Sequence, residues 1–119
     1  MSIILDMTKT IVDALEDKKG EEIKIIDISE ISPIADYFIL ASGSNRSQIQ
    51  AMADAVEEKM HINHYPLKQI EGYDGANWIL MDYYDVVVHI FDRESRGFYD
   101  LERIWRDGKI VEGNSSGNP

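Results

Sequence analysis

Four groups of residues in this chain have types and spacings that could do chemistry. The first is Ser42-Gly43-Ser44-Asn45-Arg46, between an apolar run and a helical pattern. Backbone amides at a helix start can cradle a phosphate. The segment has neither a phosphate-loop lysine nor a GxGxxG pattern, and Asn45 with Gln48 has the spacing of a helix cap. Capping is the simpler reading. The second is Asp82 and Asp85, on either side of Tyr83-Tyr84. Paired carboxylates can hold a hard cation, but aspartates beside turns also accept hydrogen bonds from nearby amides, and no third ligand is evident. The third is His61 and His64, one helical turn apart near an expected helix end. They read as a solvated terminus, not a metal site. A Ser–His–Asp hydrolase would be expected to carry Gly-x-Ser-x-Gly on a strand-to-helix turn, and the match Gly113-Asn114-Ser115-Ser116-Gly117 falls in a short polar tail with no strand or helix pattern around it. With no cysteine in the chain, thiol catalysis and Cys-ligated zinc are excluded.

The fourth group is the most informative. If Tyr83-Tyr84 is a two-residue hairpin loop, residue 82 lies opposite 85, 80 opposite 87, and 78 opposite 89. Alternation then puts Trp78, Leu80, Asp82, Asp85, Val87 and His89 on one face and Ile79, Met81, Val86, Val88 and Ile90 on the other. The second set is wholly aliphatic and reads as a core face. The first mixes an aromatic, aliphatics, carboxylates and an imidazole. Such a mixture suits a surface that meets a partner, with Trp78 and Leu80 as anchors and Asp82, Asp85 and His89 as polar contacts. Tyr83 and Tyr99 are secondary candidates, and Asp36 and Tyr37 are structural. The cost lies at Tyr84, because such tight turns favour residues that tolerate positive φ.

The elements that must position these residues follow from periodicity. Ile4, Met7, Ile11 and Leu15 predict a helix from about Ser2 to Lys19, stopped by Gly20. Ile23, Ile25 and Ile26 predict a short strand. Residues Ala35 to Ala41 predict a strand covered on both faces. Ile49, Met52, Ala53, Val56 and Met60 predict a second helix that frays near His61 to Asn63. Leu67 to Ile70 forms a weak strand, and Asn77 to Asp82 and Asp85 to Phe91 form two strong ones. A last helix starts near Ser95 and buries Phe98, Leu101 and Trp105. The fold class is α/β (α+β): a mixed central sheet with packed helices. Residues 1–112 form one domain, and residues 113–119 are expected to be disordered.

Composition bounds the function. Twenty-two acids against twelve bases give a net charge of −10. Such a chain gains nothing from counterion release on a phosphate backbone, so little direct RNA contact is expected. A basic protein partner suits it better, and a second copy of the chain is a further candidate. No apolar run approaches the roughly 20 residues of a membrane span, and the N-terminus resembles neither a secretory signal nor a transit peptide. The cytoplasm is the default address.

Blocks along the chain carry a resemblance. They are Asp27-Ile28-Ser29, Ala35-Asp36-Tyr37-Phe38-Ile39-Leu40-Ala41-Ser42-Gly43-Ser44-Asn45-Arg46, Glu71-Gly72, Trp78-Ile79-Leu80-Met81-Asp82-Tyr83 and Asp85-Val86-Val87-Val88-His89-Ile90-Phe91. After these come Arg96, Phe98-Tyr99-Asp100-Leu101-Glu102 and Trp105. In this order they resemble the ribosome silencing factor family, also called Iojap-like proteins. Tyr84 departs from the family pattern, which usually has glycine there. The resemblance implies a nucleotidyltransferase-like fold without catalytic machinery, no cofactor, and no metal. It implies binding to large-subunit ribosomal protein fourteen where the small subunit joins, repression of translation, and a part in large-subunit maturation. The rival reading is a metal-dependent nucleotidyltransferase-like enzyme on the same fold.

Overall fold

The computed structural model describes residues 3–31, 33, 35–93 and 109–110. Helix α1 spans Ile3–Asp17 and buries Met7, Ile11, Val12, Ala14 and Leu15 along one stripe. Burying each large aliphatic side chain is worth about 1.5–3 kcal/mol, which outweighs the modest propensity of a short isolated helix. The helix ends differently from the sequence expectation. The left-handed residue is Lys19, at φ 62°, and not Gly20. The Gly20 amide returns to the Leu15 carbonyl at 2.9 Å. Its glycine eases a tight fit: a Cβ there would lie 2.9 Å from the flexible end of Met52 and 3.0 Å from the Leu15 carbonyl oxygen.

Strand β1 spans Glu21–Asp27, β2 Tyr37–Gly43, helix α2 Arg46–Ile62, β3 Gln69–Glu71, β4 Trp78–Asp82, β5 Val86–Asp92 and β6 Lys109–Ile110. They form one six-stranded sheet in the order β3-β4-β5-β2-β1-β6. Only β2 and β5 pair in parallel, so the sheet is mixed, as the fold class predicts. That pairing needs a long crossover, which α2 and the β3–β4 hairpin provide. Strand β6 was not anticipated. It is two residues long and too short to carry a periodic signal. The helix expected from Ser95, together with Tyr99 and the expected tail 113–119, lies outside the described residues.

Helices α1 and α2 pack on one face of the sheet. Ile79, Met81, Val86, Val88 and Ile90 are fully buried there, in one cluster with Met7, Ile11, Leu15, Ile49, Met52, Val56 and Met60. The predicted aliphatic face is therefore the core face. Strand β2 is buried on both sides: Ile39 and Ala41 join the helix-side cluster, and Leu40 joins a second cluster with Ile26, Ile28, Ala35, Val87 and Phe91.

The β4–β5 hairpin has its loop one residue further along than expected. Trp78 faces Phe91, Leu80 faces His89, and Asp82 faces Val87. The Tyr83 amide donates to the Val86 carbonyl at 2.9 Å. The two loop residues are thus Tyr84 and Asp85. Every cross-strand partner moves by two positions, and an even shift preserves the faces. Asp85 alone leaves its predicted face, for the turn. Tyr84 has φ 74° while Asp85 has no positive φ, the pattern of a type II′ turn that favours glycine at its first central position. Glycine, which the resemblance leads one to expect there, would adopt this φ without strain. Lys68 Nζ lies 5.8 Å from the Tyr84 ring centroid, a cation–π contact that partly offsets the strain.

Gly72 sets the approach of the β3–β4 connection to the functional strand. It has φ +80°, and a Cβ on it would lie 2.2 Å from the Trp78 carbonyl oxygen. Left-handed strain of about 1–2 kcal/mol adds to overpacking of about 1–3 kcal/mol. Gly72→Ala should therefore lower the folding free energy by about 3 kcal/mol, read as a clear fall in denaturant midpoint. An unchanged midpoint would mean that the loop relaxes freely and does not hold β4.

Candidate functional site

The Ser42–Arg46 segment is a helix cap. Asn45 is the N-cap of α2 and its side chain accepts from the Gln48 amide at 2.8 Å. Gln48 does not return to the Asn45 amide, as a standard capping box would. Its Oε1 accepts from the Ser44 amide at 2.7 Å, and its Nε2 donates to the Lys18 and Lys19 carbonyls at 3.0 Å. One glutamine therefore ties the end of α1 to the start of α2. Gly43 is needed for closeness, since a Cβ would lie 2.7 Å from Ile49 Cγ1. The Ser44 and Gln48 amides that a phosphate would use are already satisfied.

The mixed face is built across three strands. Pairing of β4 with β5 sets Trp78 beside Phe91 and Leu80 beside His89, and the parallel pairing of β5 with β2 sets His89 beside Leu40 and Val87 beside Phe38. Four rings collect as a result. His89 meets Phe38 edge-on with centroids 4.6 Å apart, and it lies nearly parallel to Phe91 at 6.1 Å. Trp78 stacks on Phe91 at 5.5 Å and approaches His89 at 5.8 Å. Trp78, Leu80 and Phe38 are half-buried and pack against the smaller core cluster. Phe38 and Phe91 were missed as members of the site. Alternation along β5 could have added Phe91, but Phe38 depends on a long-range parallel register that no local pattern announces.

One hydrogen bond organises these rings. Trp78 Nε1 donates to His89 Nδ1 at 3.0 Å. With Nδ1 accepting, the neutral imidazole carries its proton on Nε2. His89 is only 4% exposed, and Nε2 has no hydrogen-bond partner among the described residues. Burial depresses its pKa to about 4, because a charged ring would have to shed its hydration. The expected role of His89 as a surface polar contact is thus corrected: the imidazole lies beneath the surface and positions Trp78.

The remaining candidates are dispersed. Asp82 is half-buried, and its Oδ1 accepts from the Tyr84 amide at 2.8 Å, so it stabilises the turn. Asp85 is exposed, and its carbonyl accepts from the Asp36 and Tyr37 amides at 2.8 and 3.2 Å, locking the hairpin tip to β2. Tyr83 is corrected too: it is 1% exposed and belongs to the helix-side cluster, not the mixed face. His61 and His64 are both exposed at the end of α2, as a solvated terminus should be. Among the described residues no three His, Asp or Glu side chains group to hold a metal ion, and no helix is long and apolar enough to cross a membrane.

The fold and this face define a class: a mixed-sheet domain whose chemistry-bearing residues cap, turn and stack. The family model described as "Ribosomal silencing factor during starvation" matches residues 3–118. The chain is 38% identical over 99 residues to the ribosomal silencing factor RsfS of Bacillus subtilis, covering 83% of this chain and 84% of that one. A crystal structure of a protein from Chromobacterium violaceum superposes with a TM-score of 0.85 at 31% identity, covering 97% of each chain. The mouse protein named mitochondrial assembly of ribosomal large subunit protein 1 is 29% identical over 98 residues, which are 80% of this chain and 43% of that protein. The chain belongs to the ribosomal silencing factor family.

The buried imidazole gives the mixed face a pH signature. The folded state holds His89 neutral down to about pH 4, while the unfolded chain takes up the proton near the ordinary histidine value of 6.5. The unfolded state then binds more protons, so stability falls as pH drops from 6.5 towards 4, by at most about 1.4 kcal/mol per unit. Denaturant midpoints at pH 6.5 and 5 should differ for the native chain, and His89→Phe should flatten that difference. An equal slope in both proteins would show that His89 does not titrate as its burial requires.

Proposed function

We propose that the chain binds the large ribosomal subunit through large-subunit ribosomal protein fourteen, blocks joining of the small subunit, and so represses translation. The observation that carries this reading is the ring cluster around Trp78, half-buried on the sheet face away from both helices, in a chain of the silencing-factor family. Trp78 and Leu80 supply the anchors, and the exposed Asp85 supplies charge at the hairpin tip. The net charge of −10 favours a basic ribosomal protein over RNA as the direct contact. A mouse relative named for assembly of the ribosomal large subunit supports that subunit as the partner, and supports a part in its maturation. The chain acts in the cytoplasm and needs no catalysis or cofactor for this.

The mechanism is steric competition. A standard protein interface buries about 1,600 Å² in total, within reach of a domain with principal extents of 33 × 32 × 25 Å. If the factor and the small subunit cannot share the site, each lowers the apparent affinity of the other by mass action. Repression then follows the concentration of the factor relative to its Kd. Strand β4, which carries Trp78 and Leu80, is paired on both sides, by β3 and β5.

Removing the indole should weaken binding about thirtyfold, the loss of roughly 2 kcal/mol typical of a central aromatic anchor. Trp78→Ala and native chain should be compared by sedimentation with purified large subunits, with denaturant midpoints on the same samples. A fall in midpoint large enough to account for the lost binding would overturn the contact assignment. Asp85→Asn should slow association with the isolated ribosomal protein more at low salt than at high salt.

A further inference from the structure

On the opposite side of β4 from Trp78, a cleft of about 370 Å³ is lined by Asp54, Glu57, Glu58, His61, Tyr65, Pro66, Leu67 and Tyr83. We propose that this cleft is a second docking site, which takes an arginine side chain from a basic protein partner. Three observations converge on it. First, Asp54, Glu57 and Glu58 stand at i, i+3 and i+4 on one face of α2, where like charges repel and destabilise a helix. None of the three forms an ion pair among the described residues, and the neighbouring Lys59 is engaged by Asp17 at 2.7 Å. Second, Tyr83 is the one buried residue of the lining, and its hydroxyl has no hydrogen-bond partner among the described residues. Tyr83 and Glu57 line the cleft together, and burial and then the Glu57 carboxylate hold the phenol proton on. A buried hydroxyl left unsatisfied is costly, and a donor entering the cleft would relieve it. Third, the lining also includes Tyr65, Pro66 and Leu67. The site therefore offers apolar surface for an alkyl stem and acceptors for a cationic head.

Arginine fits this set better than a metal ion or a lysine. A metal needs converging ligands, and no such group exists among the described residues. A guanidinium has five N–H donors in a planar fork, enough to reach a carboxylate pair and a phenol oxygen together, and its plane stacks on a ring such as that of Tyr65. The Tyr83 oxygen accepts from the guanidinium, and its own hydrogen turns towards Glu57. The cleft is separate from the Trp78 face, and the inference holds whether or not that face binds the ribosome.

The test is a titration of the full chain with an acetylated, amidated Gly-Arg-Gly peptide, followed by amide NMR shifts. Saturable shifts should concentrate at Glu57, Glu58, His61 and Tyr83. Replacing arginine by neutral citrulline, or making Glu57→Gln with Glu58→Gln, should weaken binding by about tenfold or more, as expected for hydrogen bonds between charged groups. Tyr83→Phe should weaken it about three- to tenfold and leave the melting temperature unchanged or higher, since it removes an unsatisfied hydroxyl. The exposed carboxylate variants keep the test decisive if Tyr83→Phe folds poorly. Shifts spread over the acidic surface, or equal binding by the carboxylate variant, would overturn the site. Equal binding of a Gly-Lys-Gly peptide would overturn the assignment to arginine.

Discussion

The hydrogen bond from Trp78 Nε1 to His89 Nδ1 constrains most of what surrounds it. An indole N–H and an imidazole are both poorly tolerated in an apolar layer unless they find partners, and here the indole N–H and the imidazole Nδ1 satisfy each other. The bond requires a neutral ring, so the site must keep water away from His89. It also requires β4 and β5 to hold their register, because a one-residue slip would send Trp78 to the helix side. The turn at Tyr84-Asp85, the cap from Asp82 and the tight passage at Gly72 all serve that register.

The second constraint is the parallel junction of β2 and β5. It brings Phe38 and Leu40 beside His89 and closes the ring cluster from a strand far away in sequence. The Asp85 carbonyl, by accepting from two amides at the start of β2, ties the hairpin tip to that junction. The rings are thereby fixed before any partner arrives, which lowers the entropic cost of binding. A pre-set face of this kind suits the proposed action by occupying a surface.

Much of this was legible in the sequence, and the reasons are local. Alternation along 78–82 and 86–90 separated the aliphatic core face from the mixed face, and it survived a wrong loop position because the error was even. Asn45 and Gln48 announced a cap, although the bond that Gln48 makes to the α1 terminus depends on tertiary packing. Burial was less legible. His89 and Tyr83 were read as surface groups because an imidazole and a phenol usually keep a wet end. What buries them is non-local: His89 by Phe38 and Trp78 across strands, and Tyr83 by the helix-side core. Gly20 was read as a conformational stop, whereas its conformation is ordinary and the fixed atom crowding an added Cβ is the Leu15 carbonyl oxygen.

The central claim is that His89 acts through Trp78 to present a partner-binding face. A double-mutant cycle of Trp78→Phe and His89→Phe, read as the free energy of binding to purified large subunits, tests it most directly. Each substitution keeps an aromatic ring and removes one side of the bond. The account predicts that each single change weakens binding and that the double change is no worse than either, a coupling within the range of about 0.5–3 kcal/mol seen for contacting residues. Strictly additive losses would contradict it, because Trp78 and His89 would then be acting independently.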